Sequence, residues 1–334
     1  AQPLPAPVAV SVPAAPEKPT TGVSSTLADA VREWARLRSP DSSSIEKAEL
    51  YVSRFHQVNG RLPLAGIKKE HGKRLVEHLV SSGLGHGTIS NHVGILRAVM
   101  SSAVEAELIK ASPFADLKAP AAPAKTPRKA RIAFAVEDVR TILANLPDSG
   151  ADRWIPLIGL YSGMRLEEIG QLAPDDVREE TYRDAGGEAR KTHVIYVTDE
   201  GEGQGIKNRK SRRRVPVHPE LVRLGFLDLV KNATGSRVFS ELRPDRHGRE
   251  ASSFGANFGR TFLRKTCGIT DTRKTFHSFR HLFKDTMREA GVHEQVSDAI
   301  TGHTTGTESR NYGDDFYPLR PLVEAINLFQ LHGL

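Results

Sequence analysis

His277-Ser-Phe-Arg280-His281-Leu-Phe-Lys-Asp-Thr-Met287 is the stretch on which the reading of this chain turns. Phe279, Leu282, Phe283 and Met287 recur at three- and four-residue steps, which predicts an amphipathic helix over Ser278–Glu289. His277 and Arg280 then fall on one side of the helix start, where backbone N–H groups and the helix dipole favour an anion. Metal binding is the other reading of a histidine cluster. The chain has no His-Glu-x-x-His pattern, and Cys267 is its single cysteine, so a thiolate-rich zinc site and an intramolecular disulfide are both excluded.

Working outward, three further clusters carry reactive or cationic groups. Upstream, Tyr161-Ser-Gly-Met-Arg165-Leu-Glu-Glu168-Ile delivers Arg165 from a glycine turn to a helix start, with Glu168 one turn later and able to orient a neighbouring cation. Alone, such an Arg-x-x-Glu is ordinarily a surface ion pair. Next, Lys207-Asn-Arg209-Lys210-Ser-Arg212-Arg213-Arg-Val-Pro-Val is basic at six of its first eight positions and ends in a strand. A hairpin so cationic repels itself, and a phosphate backbone is a natural neutralising partner. Downstream, Thr301-Gly302-His303 leads through a polar loop to Arg310-Asn-Tyr312-Gly. Tyrosine there is ordinarily a packing residue. Its standing rises because two arginines, two histidines and a lysine able to hold one phosphate precede it.

The whole chain is compatible with such a partner. Its 334 residues allow two ordinary domains, and 38% hydrophobic with 26% charged residues is ordinary for a globular protein. Mean hydropathy is −0.38 and the sequence pI about 9.5. A formal charge of +7 favours a polyanion, because basic side chains displace counterions from phosphates. Apolar runs such as Trp154–Tyr161 fall far short of the roughly 20 residues that cross a bilayer. With no secretory signal at the N-terminus, no membrane association and a cytoplasmic location are expected.

Organisation follows from composition. Residues 1–24, rich in Pro, Ala, Val, Ser and Thr, read as a disordered leader. Residues 25–117 read as a four-helix domain, with helices from Thr26, over Ser44–Phe55, over about Lys68–Val80, and from a Thr88 cap through Val104. Ser90, Asn91, His92 and Arg97 are expected on the polar side of the last helix, as a solvated face or as a DNA contact. Residues 118–131, with prolines and basic side chains, read as a linker that lies along a phosphate backbone.

Residues 132–334 mix elements. Helices are expected at Val136–Leu146, Asp152–Ser162, Arg165–Leu172, from Pro219, and near Ser253–Thr266 and His293–Ile300, with strands at Val194–Thr198 and Arg213–Val217. The fold class expected is mainly α with a small antiparallel sheet (α+β). After Pro318, Leu322, Ile326 and Phe329 form an apolar stripe that either docks on a neighbouring protomer or folds back on its own domain.

Taken together, Gly-Met-Arg165 with Glu168, Lys207 on a basic hairpin, His277-x-x-Arg280, Gly-His303 and Tyr312 resemble the active-site signature of the tyrosine recombinases, the phage-integrase family. The resemblance runs from about Thr26 to the C-terminus, with residues 25–117 similar to the family's core-binding domain. It implies metal-independent, cofactor-free cleavage and rejoining of double-stranded DNA through a 3′-phosphotyrosine bond. Arg165, Lys207, His277, Arg280, His303 and Tyr312 are the implied catalytic set, with Glu168 supporting. Lys207 is taken over Lys210 as the lysine because its distance to the Val-Pro strand resembles the family's longer hairpin. Ser90, Asn91, Arg97, Arg209, Lys210, Arg212 and Arg213 are expected DNA contacts.

The resemblance also implies a homotetramer on synapsed DNA, with a monomer in solution left open and accessory DNA-bending proteins among the partners. Two alternatives use the same scaffold. A type IB topoisomerase would relax supercoils without exchanging strands, and a noncatalytic DNA-binding regulator would form no covalent adduct.

Overall fold

The computed structural model describes residues 25–121, 131–206, 211–303 and 316–333. They fall into two compact units, residues 1–126 and 127–334.

In the first unit, α1 (Leu27–Arg38) opens on a reciprocal cap in which the Asp29 backbone N–H donates to Thr26 Oγ1 and Thr26 N–H donates to Asp29 Oδ2. Helix α2 (Ser42–Asn59) is longer at both ends than its apolar pattern predicts. Asp41 caps its start by accepting from Ser44 N–H at 2.8 Å, and the helix then runs on through polar residues to Asn59. Helices α3 (Lys69–Ser81) and α4 (His86–Glu105) complete the bundle. Leu27, Trp34, Phe55, Leu75, Leu79, Leu96, Met100 and Phe114 fill its core.

Two expectations fail here. Thr88 is not the cap of α4, which starts two residues earlier after an extended Gly85. His92 is not on the polar face. It is buried and stacked on Tyr51 at 3.5 Å, its Nδ1–H donating to the Thr88 carbonyl and its Nε2 accepting from Arg54.

In the second unit, α5 (Val136–Ala144) precedes α6 (Ala151–Ser162), an apolar helix buried almost throughout its length. Helix α7 (Leu166–Gly170) is followed by a three-stranded antiparallel sheet in the order β1 (Val177–Arg183), β2 (Ala189–Val197), β3 (Arg213–Pro216). Val177 pairs with Ile195, and Val194 with Pro216. Strand β1 was not expected from the sequence, and the reason is visible in its residues. Val-Arg-Glu-Glu-Thr-Tyr-Arg lies against solvent, so pairing with β2 holds it as a strand without a buried apolar row. The expected strand Val194–Thr198 caught only the buried half of β2.

Short helices α8 (Pro219–Arg223), α9 (Phe226–Lys231) and α10 (Ser252–Asn257) follow. The chain continues from α10 into a π-helical turn over Phe258–Thr266, where one continuous α-helix was expected. Helices α11 (His277–Glu289), α12 (Glu294–Thr301) and α13 (Leu319–Asn327) close the unit. Helix α11 packs on α6, and Gly159 makes room for the Phe276 ring, since a Cβ there would stand 2.6 Å from Phe276 Cζ. Of the two placements weighed for the C-terminal stripe, the chain adopts the second: Leu322, Ile326 and Phe329 are each 1% exposed in the core of their own unit. No helix among the described residues is long and apolar enough to cross a membrane.

Candidate active site

Two left-handed turns and the start of α11 bring the charged residues of the second unit together. Helix α6 ends at Gly163, whose φ of +61° is a left-handed conformation that favours glycine, and a Cβ there would press to 2.7 Å from Phe283 Cδ1. The chain turns through buried Met164 and presents Arg165 just ahead of α7. Helix α12 ends likewise at Gly302, with φ of +65°, where a Cβ would stand 2.9 Å from Arg213 Nη1. Helix α11 starts at His277 and carries Arg280 inward.

Glu168 is the hub. It is 7% exposed, and its carboxylate accepts from Arg165 N–H at 2.8 Å and Arg165 Nη1 at 2.7 Å. The same carboxylate accepts from Arg213 Nη2 at 2.6 Å and Nη1 at 3.0 Å. Burial alone would raise its pKa, but Arg213 first and then Arg165 outweigh burial and hold it at about 2. Arg165 reaches on with Nη2 to the Gly302 carbonyl at 3.0 Å, tying the end of α12 to the start of α7.

Arg280 lies beside this hub and is compensated differently. Only 2% exposed, it donates from Nη1 to the Gly163 carbonyl at 2.8 Å and from Nη2 to His303 Nδ1 at 3.0 Å. Its Nε is buried with no hydrogen-bond partner among the described residues. Arg280 Nη2 also faces His303 Nε2 at 3.4 Å, and His303 Nδ1 meets Thr301 Oγ1 at 3.0 Å, whose hydroxyl donates to the Ser297 carbonyl at 2.7 Å. Burial, then Arg280 and Lys284, push the His303 pKa down to about 4. Burial, then His281 and Arg280, do the same for His277, also to about 4. Both imidazoles are therefore neutral near pH 7. Asp298 is hydrogen-bonded to Lys284 at 2.7 Å and offsets the charge of Arg280 only at longer range.

Arg165 and Arg213 are thus paired with Glu168, Arg280 feels Glu168 and Asp298 without hydrogen-bonding either, and the surplus among the described residues is cationic. A cluster of this kind holds an anion with several oxygens through forked and charge-assisted hydrogen bonds. Two surface hollows, of about 250 Å³ and 550 Å³, lie toward the other end of α6 around Pro147, Asp152 and Asn257, and no member of the cluster lines them.

The structure brings together Arg165, Glu168, His277, Arg280 and His303 from the expected set. Lys207, Arg209, Lys210 and Tyr312 lie outside the described residues. Arg213 corrects an expectation: read as a DNA contact, it is 5% exposed and occupied by Glu168 and by the Ile300 and Ser211 carbonyls. Strand alternation carried the signal, because Arg213 shares a strand face with Val215 and Val217, both core residues. Arg212 is paired with Asp199 at 2.8 Å and Glu200 at 2.9 Å, so a phosphate would have to compete for it.

In the first unit, Asn91 is exposed and donates to the Tyr51 hydroxyl at 3.0 Å, Ser90 meets His86 at 3.2 Å, and Arg97 is exposed.

No family model and no curated protein matches the sequence. The fold does match solved structures. The Tn1549 transposon integrase in complex with transposon right end DNA is 17% identical with a TM-score of 0.58, over 92% of this chain and 95% of that one. A lambda integrase dimer bound to a COC′ core site is 14% identical with a TM-score of 0.55, over 87% of this chain and 96% of that one. A lambda integrase tetramer bound to a Holliday junction is 13% identical with a TM-score of 0.55, over 85% and 79% respectively. The fold, mostly helical with a small three-stranded antiparallel sheet, is that of the tyrosine recombinases.

Proposed function

We propose that this chain is a site-specific tyrosine recombinase that cleaves and rejoins double-stranded DNA through a 3′-phosphotyrosine intermediate. The observation that carries the reading is Arg280, a guanidinium 2% exposed and hydrogen-bonded to no carboxylate, standing with Arg165 and His303 where a phosphodiester would complete it. Leaving such a cation uncompensated in the interior is costly, and a bound phosphate relieves the cost.

The roles follow the resemblance to the tyrosine recombinases, and the charges and proton states of the described residues are compatible with them. Arg165 and Arg280 hold the non-bridging oxygens, and His303 donates a further hydrogen bond to them. The Tyr312 phenol oxygen attacks phosphorus, forming the P–O bond to tyrosine as the bond to the 5′ oxygen breaks. His277, neutral at pH 7, accepts the phenol proton, and Lys207 supplies a proton to the leaving 5′ oxygen. Rejoining is the reverse step with a 5′ hydroxyl as nucleophile, and the bond energy stored on tyrosine makes ATP unnecessary. Glu168 touches no DNA; it fixes Arg165.

Strand exchange requires two duplexes, so the working assembly is a homotetramer on synapsed DNA, with DNA-bending proteins as accessory partners. The integrase complexes with core-site DNA and with a Holliday junction support that assembly by their shared fold. Residues 25–117 act as a core-binding domain that contacts DNA through Ser90, Asn91 and Arg97. The setting is the cytoplasm, at the nucleoid of a bacterium or of a phage-infected cell.

The test is covalent trapping. A library of nicked duplexes with randomised cores is incubated with the chain, and denaturant-resistant adducts are recovered and sequenced. Enriched DNA linked to the wild-type chain and lost in Tyr312→Phe is the expected result; an adduct unchanged in that variant overturns the assignment. Supercoil relaxation without recombinant products on the enriched site would instead mark a topoisomerase.

A further inference from the structure

Thr301 closes α12 in the interior, fully buried, and its hydroxyl has two neighbours. Oγ1 donates to the Ser297 carbonyl at 2.7 Å, one turn back, and stands 3.0 Å from Nδ1 of His303. A threonine that bonds the carbonyl four residues back is ordinary in a helix. What sets Thr301 apart is the second contact. The left-handed turn at Gly302 lets the His303 backbone N–H donate to the Asp298 carbonyl at 3.1 Å, and this folds the imidazole back against the hydroxyl.

The protons available at that contact are few. A hydroxyl has one hydrogen, and with it directed at Ser297 the oxygen can only accept from Nδ1. Nδ1 then carries the proton, and the Nε2 lone pair is left to accept from Arg280 Nη2 at 3.4 Å. The opposite tautomer lets Arg280 Nη2 donate to Nδ1 at 3.0 Å, but it sets two lone pairs face to face at Thr301 unless the hydroxyl leaves Ser297. Asp298 Oδ1, 3.9 Å from Nδ1, also favours a proton on that nitrogen. The hydrogen-bond network therefore assigns the proton to Nδ1. In this arrangement Nε2 answers Arg280 and has no hydrogen to give to a phosphate oxygen. An anion held by Arg165 and Arg280 reverses the demand, because it takes up the Arg280 donors and calls for a donor from the imidazole.

We propose that Thr301 is a positioning residue for His303 that couples the tautomer of the imidazole to the anion. Its hydroxyl accepts from Nδ1–H in the free chain, and it turns from Ser297 to donate to Nδ1 when an anion takes a hydrogen bond from Nε2–H. The proposal rests on the reading of Arg165, Arg280 and His303 as an anion site. One proton leaves Nδ1 and one is gained at Nε2, so the imidazole stays neutral, and the exchange passes through solvent, which the partly exposed ring reaches. A hydroxyl suits both states because it donates or accepts by rotating about a single bond.

The test is NMR on the full chain with isotope-labelled histidine at about pH 7.5, where a neutral imidazole reports its tautomer through the shifts of its two nitrogens. Wild type is expected to hold Nδ1–H without added anion and Nε2–H at saturating sulfate. Thr301→Ser, which keeps the hydroxyl, should do the same. Thr301→Val, which keeps the shape and removes the hydroxyl, should hold Nε2–H in both conditions, because Arg280 Nη2 is then the donor facing Nδ1. A purely packing role would leave the tautomer alike in all three chains. Nδ1–H that persists at saturating sulfate in wild type, loss of the exchange in Thr301→Ser, or a wild-type response in Thr301→Val overturns the proposal. The anion reading fails separately. If sulfate moves neither the Arg280 nor the His303 resonances, that reading is lost, and Thr301 is judged in the free chain, where one tautomer shared by wild type and Thr301→Val overturns its role.

Discussion

Arg213 and Arg280 sit in the same unit at nearly the same depth, 5% and 2% exposed, yet their surroundings are opposite. Arg213 meets both oxygens of Glu168 and two backbone carbonyls, so its charge and its donors are answered within the fold. Arg280 meets one carbonyl and a neutral imidazole, keeps a buried Nε with no partner among the described residues, and has its pKa lowered by burial and by Arg165 and Arg213. A guanidinium nevertheless stays protonated near neutral pH. Depth alone therefore does not separate a structural arginine from a binding one. What differs is whether a carboxylate among the described residues hydrogen-bonds the guanidinium, as Glu168 does for Arg213 and none does for Arg280.

The strongest way to break this contrast is to replace each arginine by methionine. Arg280→Met should reduce adduct formation by about 10³-fold or more, the scale of losing a transition-state arginine. It should leave stability in denaturant melts equal to wild type or higher, because an incompletely compensated buried charge is removed. A clear loss of stability would show that the fold compensates Arg280 after all. Arg213→Met should do the reverse and destabilise the unit by about 3–5 kcal/mol, since Glu168 would keep a buried charge with Arg165 as its one remaining hydrogen-bond partner among the described residues.

The same pair predicts an acid dependence. Glu168 is held at about 2 against 4.5 unfolded, so its stabilisation is complete above pH 4.5 and is lost as the pH falls through about 2. Glu168→Gln should remove that part of the acid profile.

A smaller effect tests the geometry between the arginines. Gly302→Ala forces a φ of +65° on an L side chain and sets a Cβ 2.9 Å from Arg213 Nη1, with an expected cost of about 1–3 kcal/mol in thermal or urea unfolding. A neutral result would mean that Arg213 yields easily, which its four hydrogen bonds argue against.

The mildest probe is titration. His277 and His303 both sit at about 4 against 6.5 unfolded, so between those values the unfolded chain binds more protons and stability falls as pH drops from 6.5 toward 4. An anion beside Arg280 should raise the His303 midpoint, read by NMR during addition of sulfate. A midpoint indifferent to sulfate would remove His303 from the anion site.

The sequence made the buried helices legible because their apolar residues recur at helical spacing, as in Leu27, Ala30, Val31 and Trp34 of α1 or Phe279, Leu282, Phe283 and Met287 of α11. It failed where hydrogen bonding rather than burial defines the element. Strand β1 is a row of exposed charged residues, the outer half of β2 pairs only with it, and the Thr88 cap gave way to an extended Gly85. Within the site, Arg165, Glu168, His277, Arg280 and His303 were legible in order through the resemblance to the tyrosine recombinases, each cluster being ambiguous alone. The role of Arg213 was misread because a run of basic residues looks uniformly solvent-facing until strand alternation is applied to it. His92 was misread for the converse reason, since Arg54 and Tyr51 reach its ring only from α2 packed against it, while Thr88 accepts from it within α4.

By itself the sequence determined which charged groups exist, their order, and the helical segments that carry them, because periodicity and residue chemistry are local properties. Which arginine is neutralised was decided only in three dimensions. Glu168 meets Arg213 from a strand far along the chain, Asp298 hydrogen-bonds Lys284 rather than Arg280, and the left-handed turns at Gly163 and Gly302 bring α6, α11 and α12 within hydrogen-bonding reach of one another. Compensation of a buried charge depends on distances of a few ångströms between segments, and no local pattern records those distances.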